Sequence, residues 1–462
     1  MLVSDADMAL HDVALWGDRR MTGTTLDDYT DRYASRTRGM TASEIRALFA
    51  VASRPEVVSL AGGSPYIAAL PLDAVGDMMS RLTVEHGTSA LQYGIGQGTP
   101  ELRERICEVM ALSGIDASAG ASPDDVVVTV GGQQALDLIA RLFLDPGDVV
   151  LAEGPTYVGA LGVFQAAQAQ VVHVPMDDRG LDPVALQAAL DDCARRGRRV
   201  KFLYTIPTFQ NPAGVTLTDE RRDQILAVCE RAGLLIVEDD PYSQLSFEGE
   251  APRPLRARRR DGILYVGTFS KTFAPGLRVG WILAPHAVRD KLVIASEANI
   301  LCPSGFAQHA VNQYLTTMPW REQIKTYREL YRERRDALLD ALRDLMPAGT
   351  TWTRPSGGLF VWMNLPPGLD SKAMMPRAIA ARVAYVPGTG FYADGTGAGN
   401  IRLNFSFPPP ERIREGVRRL AGVMEQELAT RAVFGSPAQP FAGPTGQAGV
   451  RPGGDVPGPD LA

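Results

Sequence analysis

Lysine is nearly missing from this sequence. Of its 47 basic residues only Lys201, Lys271, Lys291, Lys325 and Lys372 are lysine, and the other 42 are arginine. An arginine stays protonated under all ordinary conditions, whereas an ammonium can be driven to release its proton. Each lysine kept against that bias therefore raises a chemical question. Cysteine and histidine are scarce as well. Cys107, Cys193, Cys229 and Cys302 show no C-x-x-C spacing, and His11, His86, His173, His286 and His309 form no H-x-x-x-H pattern. A structural zinc site or an oxidised scaffold is not expected, and neither is any bound metal. No apolar run approaches the roughly 18 residues of a membrane span. Met1–Leu10 carries Asp5 and Asp7 where a signal peptide would be basic and then apolar. The net charge of −6 argues against holding nucleic acid by a general basic field. These absences lead to the expectation of a reduced, cytoplasmic protein with no membrane or nucleic-acid partner.

What is present is core material. With 462 residues, 45% of them hydrophobic, the chain can build two or three ordinary domains. Residues 1–40 are polar and acidic and read as an N-terminal arm. From Thr41 the pattern becomes a capped amphipathic helix with Ile45, Leu48 and Phe49 on one face. The middle of the chain alternates short β-branched runs with helix-period stretches, the mark of a mostly parallel sheet covered on both faces. The strands are expected at Val126–Val130, Val149–Ala152, Val171–Pro175, Lys201–Ile206, Leu234–Glu238, Ile263–Thr268 and Val279–Leu283. Helices are expected at Gln134–Leu144, Gly159–Ala167, Pro183–Arg195 and Asp219–Ala232. The result is an α/β protein whose large domain, residues 85–310, holds a seven-stranded sheet flanked by helices. A smaller α+β domain combines residues 41–84 with 311–432. It contains a long helix from Arg321 to Leu345 with Ile324, Tyr327, Leu330 and Leu338 on its apolar stripe. Its strands begin at Gly358 and Ile401, and a helix from Glu411 to Leu428 closes it. Residues 433–462 are rich in proline and glycine and are expected to be a disordered tail.

Several chemistry-bearing segments fall at the ends of these strands, where open α/β sheets bind ligands. In Thr268-Phe-Ser-Lys-Thr, Lys271 follows a buried strand, with hydroxyls at Thr268 and Ser270 and a guanidinium at Arg278. That set suits an amine forming an imine with a carbonyl cofactor while the hydroxyls and the arginine hold a phosphate. It also suits a plain solvated lysine in a polar turn. In Leu234-Leu-Ile-Val-Glu-Asp-Asp-Pro-Tyr, Asp239 can keep a pyridine nitrogen protonated and Tyr242 can bond the ring's phenolic oxygen. Asn211 in Phe209-Gln-Asn-Pro-Ala-Gly can bond the same oxygen or form an Asx turn. Gly131-Gly132-Gln133-Gln134 opens a helix whose first N–H groups suit a phosphate. Tyr157, after the next strand, can lie on a cofactor ring or pack in the core. Gly94-Ile-Gly-Gln-Gly98 lacks the third glycine and the preceding strand of a dinucleotide fingerprint, so a nicotinamide enzyme is not expected.

Taken in order, Ala61-Gly-Gly, Gln92-Tyr-Gly, Gly132-Gln-Gln-Ala-Leu-Asp, Phe209-Gln-Asn-Pro-Ala-Gly, Glu238-Asp-Asp-Pro-Tyr, Phe269-Ser-Lys, Pro275-Gly-Leu-Arg and Pro355-Ser-Gly-Gly-Leu-Phe-Val-Trp make the chain, from about Thr41 to Glu427, resemble one known family. It is similar to the fold-type I, pyridoxal-phosphate-dependent aminotransferases of class I/II, in the branch of 2-aminoadipate and broad-specificity enzymes. The resemblance implies that Lys271 forms the imine with pyridoxal 5'-phosphate and shuttles the proton. It implies Asp239 on the pyridine nitrogen, Asn211 and Tyr242 on the phenolic oxygen, and Tyr157 stacked on the ring. Around the phosphate it sets the backbone of Gly132, Gln133 and Gln134, the hydroxyls of Thr268 and Ser270, and Arg278. It further implies a homodimer in which Tyr93 reaches the neighbouring subunit's phosphate. Arg402 would hold the substrate α-carboxylate by its planar fork, near Gly63 and Asn211.

Two positions depart from the family pattern. Ala213 stands where Thr is usual, and Gly132 where Ser is common, which removes one phosphate hydrogen bond worth roughly 0.5–1.5 kcal/mol. The implied reaction moves an α-amino group between an L-amino acid and a 2-oxo acid in two half-reactions. Elimination, decarboxylation or carbon–carbon bond formation would need the same residues and stands as the alternative. A ligand-sensing regulator would carry a basic winged-helix domain ahead of Thr41, and the 40 residues there are too few and too acidic to suit one. Arg46 is a candidate for a distal substrate carboxylate and Tyr66 for the substrate pocket. Dicarboxylic, branched-chain and aromatic substrates all stay open.

Overall fold

The computed structural model describes residues 29, 32–34, 36–37 and 54–434. Arg46, the helix expected from Thr41, most of the acidic arm and residues 435–462 lie outside them. The chain enters at β1 (Val58–Ser59) and builds the large sheet from β2 (Val126–Thr129), β3 (Val149–Gly154), β4 (Gln170–Asp177), β5 (Gly180–Leu181), β6 (Val200–Thr205), β7 (Leu235–Asp239), β8 (Ile263–Thr268) and β9 (Gly280–Leu283). Their spatial order is β2-β9-β8-β7-β6-β3-β4-β5. All seven expected strands are present, and the two-residue β5 makes an eighth by folding back antiparallel on β4. The sheet is mostly parallel, with β9 running antiparallel between β2 and β8.

The sheet is buried on both faces, and the sequence shows why. Along β3, Val149 and Leu151 pack into one apolar cluster while Val150 and Ala152 pack into the other. The same alternation holds for Leu203 against Phe202 and Tyr204 on β6, and for Ile236 against Val237 on β7. A strand with apolar residues at every position has no face to offer water, so helices must cover both sides. The helix Pro183–Arg195 starts where Asp182 accepts the N–H groups of Val184 and Ala185. The helix Asp219–Arg231 starts where Thr218 accepts from Arg221. Each cap satisfies donors that a helix start otherwise leaves open.

The second sheet comprises β10 (Thr351–Trp352), β11 (Phe360–Asn364), β13 (Val386–Pro387) and β14 (Asn400–Asn404), all antiparallel in the order β10-β11-β14-β13. β12 (Val383–Ala384) pairs in parallel with β1, which ties the first described segment to this part of the chain. The long helix spans Trp320–Leu345 and buries Ile324, Tyr327, Tyr331 and Leu338. The closing helix, Pro410–Phe434, runs on past Leu428 and takes in residues 433 and 434, which were expected to begin the tail.

Several helices escaped the sequence pattern, among them Pro100–Ala111, His286–Ile300, Gly305–Thr317 and Leu72–Ala90. Leu72–Ala90 carries Gly76 and Gly87 in its interior and leaves Val84 exposed. Packing of Met78 and Leu82 into the core overrides that weak local preference.

Candidate active site

The C-terminal ends of β3, β6, β7 and β8 and the start of the helix after β2 converge on a cavity of about 660 Å³, to which β14 adds Arg402. Lys271 follows β8 and points into it. Its Nζ donates to the carbonyl of Gly63 at 2.9 Å. Burial and the guanidinium groups of Arg402 and Arg278 push the ammonium down to about 8, against the pull of Asp239. Such an amine spends an appreciable fraction of its time uncharged near neutral pH and can act as a nucleophile.

At one end of the cavity the helix Gly131–Phe143 begins without a side-chain cap from Val130, and Gly132 and Gln133 line the wall. Thr268 Oγ1 donates to Ser270 Oγ at 2.9 Å, and Arg278 Nη1 donates to the same Ser270 oxygen at 3.2 Å. The approach is close. A Cβ on Gly131, whose φ is +75°, would lie 2.2 Å from Arg278 Nη2. Hydroxyls, a guanidinium and a helix start together make an anion cradle.

Asp239 ends β7, buried at the floor. Burial pushes its carboxyl up to about 7, and the Tyr204 hydroxyl opposes that by donating to Oδ2 at 2.8 Å. Tyr242 is buried nearby, edge-on to Phe360 with 6.0 Å between ring centroids, and burial raises its phenol. Tyr157 follows β3, and its hydroxyl donates to Gln133 Oε1 at 3.2 Å while Gln133 Nε2 donates to Gly159 O at 2.8 Å.

Arg402 closes the other end. Its Nη1 donates to Asn211 Oδ1 at 3.0 Å, and Nη2 to the carbonyls of Ala61 and Gly62 at 2.9 and 3.2 Å. The guanidinium lies 4.1 Å from the Phe360 ring centroid, and burial lowers it to about 10. Its Nε is buried without a partner, a donor left for a ligand.

Thus Lys271, Asp239, Tyr242, Asn211, Gly132, Gln133, Tyr157, Thr268, Ser270, Arg278, Gly63 and Arg402 all line one cavity. Gln134 and Tyr66 are not among the lining residues, and Tyr93 was expected at a neighbouring subunit's site. Gln134 turns its side chain back to accept the Val130 N–H at 2.6 Å, which leaves the expected role of its backbone untouched. The Tyr66 ring stacks under the Arg334 guanidinium at 4.1 Å and meets Phe407 edge-on, because the long helix comes up beside it. Tyr93 is 78% exposed and away from this chain's own cavity. Sequence reading missed Tyr204, Phe360 and Gln210. Gln210 and Phe360 carried a signal, since each stands inside a motif that was quoted for the family likeness, whereas Tyr204 stands in a plain strand.

The residues present fit pyridoxal phosphate. An anion cradle, a lysine amine of lowered basicity, a buried carboxylate and the orphaned Arg402 Nε match its phosphate, its aldehyde, its ring nitrogen and the carboxylate of an amino acid. The family model for aminotransferase class I and II matches residues 55–420. The aromatic-amino-acid aminotransferase 1 of Thermococcus litoralis is 42% identical over 403 residues, covering 87% of this chain and 96% of that protein. The kynurenine aminotransferase of Pyrococcus horikoshii, solved in complex with PMP, superposes with a TM-score of 0.83 at 38% identity, over 88% of this chain and 100% of that one. LysN, the α-aminoadipate aminotransferase of Thermus thermophilus solved with N-(5'-phosphopyridoxyl)-L-leucine, gives 0.80 at 35% identity, over 87% and 100%. The chain belongs to the class I and II aminotransferases, as a pyridoxal-phosphate enzyme that transfers an amino group between amino acids and oxo acids.

Proposed function

We propose that the cavity runs transamination with Lys271 as nucleophile and proton carrier and Arg402 as the carboxylate anchor. The observation that carries this reading is that both cations are held by consecutive carbonyls, Ala61 and Gly62 for Arg402 and Gly63 for Lys271. A substrate carboxylate on Arg402 thereby brings its α-carbon beside the lysine amine. Pyridoxal phosphate, when bound, supplies an aldehyde and a ring that withdraws electrons from the substrate α-carbon. Lys271 Nζ would hold that aldehyde, and as a free amine would take the substrate α-proton and carry it within the cavity. Asp239 would hold the proton on the ring nitrogen, and Asn211 and Tyr242 would bond the phenolic oxygen. The cradle of Thr268, Ser270, Arg278 and the backbone of Gly132 and Gln133 would hold the phosphate. Two half-reactions in one cavity require ping-pong kinetics. Parallel double-reciprocal plots for donor and acceptor test this, and intersecting lines refute it.

We further infer that the favoured substrates carry aromatic or other apolar side chains. Among the described residues, the cations lining the cavity are Lys271, Arg278 and Arg402, each already given a role, while Leu136, Val158, Ile206 and Phe360 supply apolar wall. The relatives named for aromatic amino acids and kynurenine support the same choice. Rates with phenylalanine and kynurenine above those with aspartate and 2-aminoadipate are expected; the reverse order would turn attention to Arg46. A cytoplasmic homodimer completes the proposal. Tyr93 lies with Leu91, Ile95 and Leu301 among exposed large apolar residues, a surface suited to a second copy. Sedimentation at micromolar concentration tests it.

A further inference from the structure

Gln210 has no role in the chemistry above, yet its amide joins two separate corners of the site. It is buried, and each of its polar atoms is engaged. Nε2 donates to the Pro155 carbonyl at 2.8 Å and to Glu153 Oε2 at 3.1 Å, and Oε1 accepts the Ala213 N–H at 2.7 Å. The first corner leads to Tyr157, two residues beyond Pro155. The second is the turn from Asn211 to Gly214, closed by the Gly214 N–H on the Gln210 carbonyl at 2.6 Å. Asn211 in that turn holds Arg402. Behind the amide, Glu153 accepts from Thr205 Oγ1 at 2.5 Å and from the Ile206 N–H at 3.1 Å, which pins the end of β3 to the end of β6.

A primary amide is the side chain that offers both an N–H pair and a carbonyl oxygen at this reach. A hydrocarbon of the same length fills the space and leaves the Pro155 carbonyl and the Ala213 N–H unpaired. A carboxylate keeps the acceptor for Ala213 but sets a second acid against Glu153, whose own carboxyl burial already pushes up.

We propose that Gln210 is a positioning residue for substrate binding: by tying the Pro155 corner to the Asn211–Gly214 turn, it fixes the span between the Tyr157 wall and the Arg402 carboxylate anchor. The proposal rests on the reading of Arg402 as that anchor.

Two variants of the holoenzyme test it. Gln210→Met keeps the volume and removes all three hydrogen bonds. It is expected to raise the amino-acid KM about tenfold with kcat within threefold, the pattern of lost binding rather than lost chemistry. A rise in KM of less than fivefold overturns the proposal, whatever happens to the melting temperature. Gln210→Glu reads the same junction through pH. The two carboxyls at positions 153 and 210 share a proton and can bond at the acid end, while rising pH favours ionising both and sets them to repel. The ratio of KM at pH 9 to KM at pH 6 is therefore expected to exceed the wild-type ratio at least threefold, and a smaller excess overturns the proposal. Should Gln210→Met fail to fold, Gln210→Glu decides alone. Arg402→Ala is the control. An unchanged KM there removes the carboxylate reading itself, independently of Gln210.

Discussion

Arg402 is bonded to Asn211 across two sheets: its Nη1 on β14 meets Oδ1 in the turn that follows β6, at 3.0 Å. With Nη2 on two backbone carbonyls, the guanidinium is oriented before any substrate arrives, and the buried Nε is left as a free donor. A lysine at this position could keep the charge but not the planar fork. Arg402→Lys is expected to raise KM for amino acid and oxo acid alike by about 10²-fold, as hydrogen bonds to a charged group contribute roughly 1.5–3 kcal/mol each. Steady-state kinetics with both substrates check this. An increase for only one of them would mean that the two carboxylates do not share the anchor.

Lys271 links the chemistry to stability. Its ammonium sits at about 8 in the folded chain against an ordinary 10.5. Between those values the unfolded chain binds more protons, so this group makes the cofactor-free protein more stable as pH rises from 8 to 10. Asp239, raised to about 7, has the opposite effect, and its contribution falls as pH climbs from about 4 to 7. The melting temperature of the cofactor-free wild type minus that of Lys271→Met is expected to grow from pH 8 to 10. The difference from Asp239→Asn is expected to shrink from pH 5 to 7. Flat differences would mean that neither group is perturbed by the cavity.

These two groups also mark what was legible in the sequence and what was not. Lys271 and Asp239 stand at strand ends, and a strand end is a local pattern, so both could be read from spacing. The covered sheet was legible for a similar reason, since unbroken apolar runs leave no polar face. Arg402 is one arginine among many, and only the family likeness singled it out. Tyr66 was drawn toward the site by its sequence neighbours, but side-chain direction is set by partners that spacing does not reveal. Tyr66 found Arg334, more than two hundred residues away. Tyr204 read as one more apolar strand residue. Its hydroxyl gains a purpose only when β7 pairs with β6 and sets Asp239 beside it.

Tyr204→Phe isolates that contact. The ring stays packed against Phe164 while the hydrogen bond to Asp239 is lost. Because this bond favours the ionised carboxyl, its loss raises the Asp239 value further. The acid limb of the kcat/KM profile is expected to move to higher pH, with the plateau above pH 8 reduced less than threefold. Rates measured from pH 5.5 to 9 decide it. An unshifted acid limb would mean that Asp239 does not set that limb or that Tyr204 does not tune it.

The two glycines at the head of the phosphate-facing helix make opposite predictions. Gly132 has room: a Cβ there meets only Val266 Cγ1, at 3.9 Å, so Gly132→Ser fits without repacking. Its hydroxyl would add a donor to the anion cradle and restore the bond that the family pattern commonly supplies. One neutral hydrogen bond contributes about 0.5–1.5 kcal/mol net, so pyridoxal phosphate should bind the apoenzyme roughly two- to tenfold more tightly. Gly131 has no room, being held at φ +75° with Arg278 Nη2 only 2.2 Å from where a Cβ would stand. Gly131→Ala must both strain the backbone and displace the guanidinium that bonds Ser270. Cofactor affinity should fall at least tenfold. Titration of both apoenzymes by fluorescence quenching measures the pair side by side. If the two variants bind equally well, the phosphate does not sit at this helix start and the cradle has been assigned to the wrong end of the cavity.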